Sequence, residues 1–481
     1  MPSDERNSDE LGRGVWPGRP GGDKREDLQL ASEIQRQVTE LAQRRYEPAV
    51  RHELLRQLAE RRAADAGGSV IEFDSLKVDV GYDSLLVRGE LLISQQSFAQ
   101  AEPYLASLGL VRAEFDHRRL RTEQLATAQL AERVVVLTPQ DHGGMPILMS
   151  GRQLADIAKN LRLRGYSAAV TPVCVTAPVT KGQGGPRPAP PPQQLPELSR
   201  SGPKVAIIDT GISQQRSGTV LPGSTLDDLH QFPLGNSPQE IAERDEYLSL
   251  DAGHGTFVTG IVQQIAPGAE ITVYRAVDSD GIGSDVTVAC WMIQAVLDGN
   301  QIINLSLGSQ TEDDFAPVAM RAALNWIADW ERENGREVLI VAAAGNYGDT
   351  RPCWPGAFRG VVSVAGLAPD MLPAPWSSRG FWVTCSTIGQ GLCSTFVDGT
   401  ESPLITLSPV PPGLPHGAVT FTGNPPWAYW SGTSFAAPQI AGAVANVFPG
   451  HQTLRGALQE ILSYGWPLPD FGQAVRILDG I

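Results

Sequence analysis

Hydrophobic spacing changes several times along the chain, and each change marks a boundary. Residues 1–26 offer almost nothing to bury among Gly, Arg and Asp, and are expected to be disordered. From 27 to 64, Leu28, Leu30, Ile34, Val38, Leu41, Leu54, Leu55 and Leu58 recur at helical intervals among many charges. That stretch has no Gly and a single Pro, Pro48, which predicts one or two amphipathic helices broken or kinked there.

The pattern then alternates between period two and period 3.6. Residues 70–73 and 85–93 read as strands, and 98–108 as a helix ending at Gly109, with Pro103 near its first turn. Residues 111–115 and 134–137 read as strands, 153–163 as a helix closed by Gly165, and 168–175 as a last strand. From Leu85 onward the order β-α-β-β-α-β predicts a small α+β, ferredoxin-like domain within 65–178. Residues 179–203, with Gly182, Gly184, Gly185 and the run Pro190-Pro191-Pro192, predict an exposed, semi-extended linker.

Beyond Lys204 the strands become continuous apolar runs: 205–208, 271–274, 302–307, 338–342 and 361–364. Helical stretches around 286–297 and 316–333 separate several of them. Strands of this kind are buried on both faces, so an open α/β domain with a mostly parallel sheet flanked by helices is predicted for 204–481. Sites in such sheets form at the C-terminal ends of the strands.

Charge narrows the function. The net charge of −15 disfavours general binding to nucleic acid or anionic membranes, which needs a basic surface. No apolar run reaches the ~18 residues that span a bilayer. The polar start Met1-Pro2-Ser3-Asp4-Glu5-Arg6 lacks the apolar core of a signal peptide, so a cytoplasmic location is expected. The five cysteines are sparse and odd in number, which favours reduced thiols, although Cys385 and Cys393 could pair in an exported protein.

Four short motifs remain, each at an element junction. Asp209-Thr210-Gly211 follows the first strand of the second domain. His254 lies between glycines in Asp251-Ala252-Gly253-His254-Gly255-Thr256. Asn346 closes Ala342-Ala343-Ala344-Gly345-Asn346. Ser434 lies in Ser431-Gly432-Thr433-Ser434-Phe435-Ala436-Ala437-Pro438, ahead of a helical run through Ile440, Ala441, Val444 and Val447. Each has a bland reading: turn former, structural imidazole, turn amide, N-cap. Together they supply nucleophilic acyl transfer, with Ser434 as nucleophile, His254 as base and acid, and Asp209 orienting the imidazole. Asn346 and the Ser434 amide would hold the oxyanion.

In this order and with these flanking residues, the motifs resemble the subtilisin-like serine proteases, or subtilases, over 204–481. The resemblance implies a triad of Asp209, His254 and Ser434, with Asn346 in the oxyanion hole. It implies that Ser306-Leu307-Gly308 and Gly281-Ile282-Gly283 are two edges between which an extended peptide binds. Ala343-Ala344-Gly345 would form one wall of the S1 pocket, with Cys353 near its floor. Small alanines and a thiol there point to an apolar P1 residue. The family often has a second histidine where this chain has Phe257. Many members bind calcium, but no acidic loop here has the spacing to hold it, so no metal or cofactor is assigned. The acidic residues between the first two motifs, Asp227, Asp228, Glu240, Glu243, Asp245 and Glu246, are read as solvated surface.

Subtilases commonly carry a ferredoxin-like propeptide that blocks the cleft, and 65–178 has the matching position and order. A permanent accessory domain, with 27–178 recruiting a regulatory partner, is the alternative. The substrate is expected to be a protein or peptide. An inactive binding protein of the same fold and an esterase are the competing readings.

Overall fold

The computed structural model describes residues 30–36, 38–39, 71–78, 82–115, 124–141, 144–176, 185–192, 196–227, 247–401 and 419–480. The stretch expected to be disordered and the helix break at Pro48 lie outside the described residues. Residues 30–36 and 38–39 are helical. Their apolar face is buried in cis, with Val38 packed against Ala374 and Trp376.

The N-terminal half is an antiparallel sheet with helices. Its elements are β1 (Phe73–Val78), β2 (Tyr82–Ser94), α1 (Gln95–Ser107), β3 (Leu110–Ala113), α2 (Gln124–Ala131), β4 (Val134–Pro139), α3 (Gly151–Leu163) and β5 (Ala168–Val175). The strand order is β5-β2-β4-β3, with β1 also on β2. Ser94 caps α1 by accepting from Ser97 N, and Ser150 with Gln153 forms a capping box on α3. Alternation explains the near-continuous apolar strands. Leu91, Ile93, Val135 and Leu137 face α1 and α3, while Leu92, Val134, Val136 and Ala169 face the C-terminal half. Both faces are covered, so both are apolar.

Two expectations shift here. The first strand was expected over 70–73 and runs instead over Phe73–Val78. Helix α2 was not expected. It has eight residues and little helical amphipathicity, and Ala126 and Leu130 pack into the core shared with the C-terminal half.

The chain then runs through β6 (Arg187–Ala189), β7 (Lys204–Asp209), β8 (Tyr247–Leu248), α4 (His254–Ile265), β9 (Glu270–Arg275), β10 (Ile282–Ser284) and α5 (Asp285–Leu297). Next come β11 (Ile302–Leu305), α6 (Val318–Asn334), β12 (Leu339–Ala343), β13 (Val362–Leu367), β14 (Cys385–Ile388), β15 (Leu392–Thr395), β16 (Gly399–Glu401), β17 (Thr420–Phe421) and β18 (Trp427–Trp430). The last elements are α7 (Thr433–Val447), α8 (Leu454–Ser463), β19 (Trp466–Leu468) and β20 (Gly472–Ala474). The main sheet has the order β19-β20-β14-β13-β12-β11-β7-β9 and is parallel apart from the β19–β20 hairpin. Helices α4 and α7 cover one face and α5 and α6 the other. Helix α5 is apolar nearly all round, and it is buried all round, between the main sheet and the N-terminal half. Within the stretch expected to be a linker, β6 pairs antiparallel with β18.

Candidate active site

Asp209 ends β7 and is fully buried. Its Oδ1 lies 2.7 Å from His254 Nδ1 and also accepts from Thr210 N at 2.8 Å. His254 is the first residue of α4, after Gly253 at φ +84°. The strand end and the helix start can meet because Gly255 has no side chain. A Cβ there would stand 2.3 Å from Gly211 O. Thr210 Oγ1 then receives Gly255 N at 3.0 Å, so the motifs around Asp209 and His254 are stitched directly together.

A second carboxylate fastens this junction. Asp227 accepts from Gly253 N at 2.9 Å, Thr210 Oγ1 at 3.1 Å and Ser279 Oγ at 2.6 Å. Burial pushes its carboxyl up to about 6, against the lowering effect of these donors and of Arg275. Asp227 was expected to be solvated, and that reading is corrected: it is 7% exposed. Asp228, Glu240, Glu243, Asp245 and Glu246 lie outside the described residues. Among the described residues no cluster of His, Cys, Asp and Glu could hold a metal ion.

Ser434 is the second residue of α7, where unpaired backbone N–H groups and the helix dipole favour negative charge. Asn346 Oδ1 accepts from Thr433 N and Thr433 Oγ1, each at 2.9 Å, leaving Nδ2 as its donor end. Thr433 Oγ1 accepts in turn from Gly345 N at 3.0 Å. The amide and the serine are therefore tied to one helix turn. Ser306 Oγ donates to Ser434 O at 2.7 Å. The His254 ring packs against Trp430 and Phe435, both at 5.3 Å between centroids. Phe257, at the position of the family's second histidine, fills the core beneath, 4.6 Å from Phe435.

The two expected edges are occupied by the chain itself. Strand β5 runs out of the N-terminal sheet and pairs antiparallel with β10, setting Ile282 opposite Val175 and Gly283 opposite Cys174. On the other side Val175 exchanges both backbone bonds with Gly308, at 3.1 and 2.9 Å. Thr176 N donates to Gly281 O at 3.2 Å, and Ser434 Oγ donates to Thr176 O at 3.0 Å. Gly281, Ile282, Gly283 and Gly308 thus line one strand-shaped groove that ends at Ser434, with Leu307 buried beside Gly308. Cys353 is buried where a Cβ on Gly308 or Gly345 would meet its Sγ, at 2.7 and 2.8 Å. That brings Gly345, Cys353 and the end of β12, with Ala343 and Ala344, to one place. Burial raises the Cys353 thiol far above its usual range, so it is a packing group rather than a nucleophile.

Sequence reasoning misread Asp227 and missed the parts played by Thr176 and Asp251. Thr176 had a signal: it directly follows the last apolar strand, ahead of the Pro- and Gly-rich stretch. Thr176 Oγ1 donates to Asp251 Oδ2 at 2.6 Å, a contact between residues too far apart for any local pattern to show.

A family model described as the subtilase family matches residues 200–458, more than half of the 481 residues. The chain is 29% identical over 250 residues to the thermophilic serine proteinase of Bacillus sp. (strain AK1), covering 51% of this chain and 52% of that protein. It is 26% identical over 273 residues to thermitase of Thermoactinomyces vulgaris, covering 54% of this chain and 80% of thermitase. The chain thus spans about half the length of the first of these relatives. Fervidolysin from Fervidobacterium pennivorans, a keratinolytic enzyme related to subtilisin, shares the fold at a TM-score of 0.50 and 19% identity, over 82% of this chain and 60% of its own.

Proposed function

The chain belongs to the subtilase family, and on that premise we propose that it is a serine endopeptidase acting through an acyl-enzyme on Ser434. His254 takes the Ser434 proton and returns it to the leaving amine. Asp209 holds the imidazole tautomer and stabilises the imidazolium. Asn346 Nδ2 and the Ser434 amide bind the oxyanion. One observation carries the reading: a buried Asp209–His254 pair packs on Phe435, and the preceding residue, Ser434, contacts a peptide carbonyl, Thr176 O. Strand pairing on both sides of that peptide favours peptides over small esters. The test is hydrolysis of unstructured peptides and labelling by a fluorophosphonate, with Ser434→Ala as control. Turnover should fall by on the order of 10⁶ in the variant. Wild-type protein that neither cuts nor labels would overturn the proposal.

We read residues 65–178 as a ferredoxin-like, propeptide-like domain, 179–203 as a linker and 204–481 as the catalytic domain. The strand order, in which the last of the four core strands lies beside the first, supports the first assignment. The occupied groove supports self-inhibition. Self-processing then falls after Thr176 and before Arg187, because Thr176 reaches Ser434 while Arg187 is held on β18. Intact mass spectrometry of the wild type beside Ser434→Ala tests this. Identical masses would favour a permanent accessory domain with a regulatory partner instead. The lining by Ala343, Ala344 and Cys353 supports an apolar P1 residue, and a library cut mainly after Arg or Lys would overturn that. Cys174, Cys353 and Cys385 are buried thiols, which supports a reducing, cytoplasmic setting, checked by cell fractionation.

A further inference from the structure

We propose that Asp251 is a specificity-determining residue, whose carboxylate selects a substrate carrying a short hydroxyl, Thr or Ser, where Thr176 now lies. The inference rests on the endopeptidase reading and deepens it.

Asp251 is 3% exposed and sits three residues before His254. Its backbone carbonyl accepts from His254 N at 3.1 Å and its amide donates to Ser279 O at 2.8 Å, so its backbone belongs to the turn that starts α4. Its side chain does something else: Oδ2 reaches into the peptide groove and accepts Thr176 Oγ1 at 2.6 Å. The space for this bond exists because residue 281 is glycine. A Cβ there would stand 2.1 Å from Asp251 Oδ2 and 2.3 Å from Thr176 Oγ1. Gly281 also accepts Thr176 N through its carbonyl, so the edge that reads the peptide backbone leaves room for the carboxylate that reads the side chain.

The pairing has a defined reach. The carboxylate oxygen stands one hydrogen bond from the γ atom of the peptide residue. A Thr or Ser hydroxyl meets it directly. A Val, equal in shape to Thr, places a methyl group against a buried carboxylate oxygen. A Lys carries its ammonium three atoms past the γ position and would have to fold back against Gly281 to reach the same oxygen. Sites built to bond a hydroxyl reject the analogue lacking it strongly, because a buried polar group then loses its partner.

The experiment is a peptide library presented to the activated protein, with cleavage products read by mass spectrometry. Thr and Ser should be enriched at one fixed position within the two residues before the cut. The Thr-to-Val ratio of kcat/KM there should be on the order of 10². Asp251→Ala should bring that ratio near one, while Asp251→Asn, which keeps an acceptor oxygen, should retain part of it. Fluorophosphonate labelling of Ser434 shows that each variant keeps a folded site. Equal cutting of Thr and Val peptides by the wild type, or a preference that survives in labelled Asp251→Ala, would overturn the assignment. A second measurement needs no turnover. In a Ser434→Ala chain, adding Thr176→Val should speed tryptic cleavage at Lys181 by roughly tenfold, as expected for the loss of one charge-assisted hydrogen bond. Unchanged cleavage would overturn the pairing. Faster cleavage in a protein whose wild type hydrolyses nothing would sink the endopeptidase reading while leaving the Asp251 pocket in place.

Discussion

Two buried carboxylates flank the start of α4 and do opposite jobs. Asp209 comes from the end of β7 and grips the imidazole of His254 from behind. Asp251 comes from the turn before α4 and grips a threonine that belongs to the N-terminal half. The first contact lies wholly within the C-terminal half. The second spans the two halves and exists while β5 occupies the groove. The contrast separates two bonds within the same few ångströms: one is internal to the C-terminal half, and the other is made at the seam between the halves.

That separation can be broken from either side. The largest effect is expected at the first carboxylate: Asp209→Asn should lower kcat by ~10⁴ by removing the tautomer control, with little change in KM. Steady-state kinetics with one peptide decides it, and a KM-dominated loss would contradict the assigned role. Next, Asn346→Ala should lower kcat by ~10²–10³ through loss of one oxyanion donor, again without weakening binding. Gly281→Ala should act on the groove side, leaving the Asp209–His254 bond in place. Its new Cβ collides with Asp251 Oδ2 and Thr176 Oγ1, and φ of +77° strains any side chain. The Thr-over-Val preference should drop about tenfold, which competition assays read directly.

The smallest effect concerns the carboxylate that joins the two regions. Asp227 has its folded-state value raised to about 6 by burial. The folded protein therefore holds this proton more tightly than the unfolded chain, whose carboxyl titrates near 4. Stability from this group is full below about pH 4, declines as pH rises to about 6, and is level above that. Denaturant midpoints for the wild type and Asp227→Asn, compared at several pH values, should show the wild type losing stability relative to the variant between those limits. A difference that is constant across the range would show that Asp227 does not titrate there.

Much of this was legible in the sequence because the signals were local. The parallel strands read as unbroken apolar runs, and the apolar girth of α5 already implies cover on two sides. Asp209 and His254 announce themselves through glycines, and Gly255 shows why: the close approach to Gly211 allows nothing larger. What stayed hidden was non-local or packed into place. Helix α2 owes its existence to Ala126 and Leu130 meeting the other half. Asp227 stands in an acidic run and looks solvated, yet its three donors come from three separate segments. The bond from Thr176 to Asp251 joins residues 75 positions apart, with no periodicity to mark it.

The alternation of β2 and β4 has a consequence for the life of the protein after any cut. Leu92, Val134 and Val136 lie on the helices α5 and α6, sharing one core with Trp291 and Trp326. A chain that sheds its first half would bare this face to water, as an adhesive patch of the kind that drives proteins to clump or to seek a companion. Shedding that half would therefore set release against solubility: the segment that fills the groove also covers this apolar face.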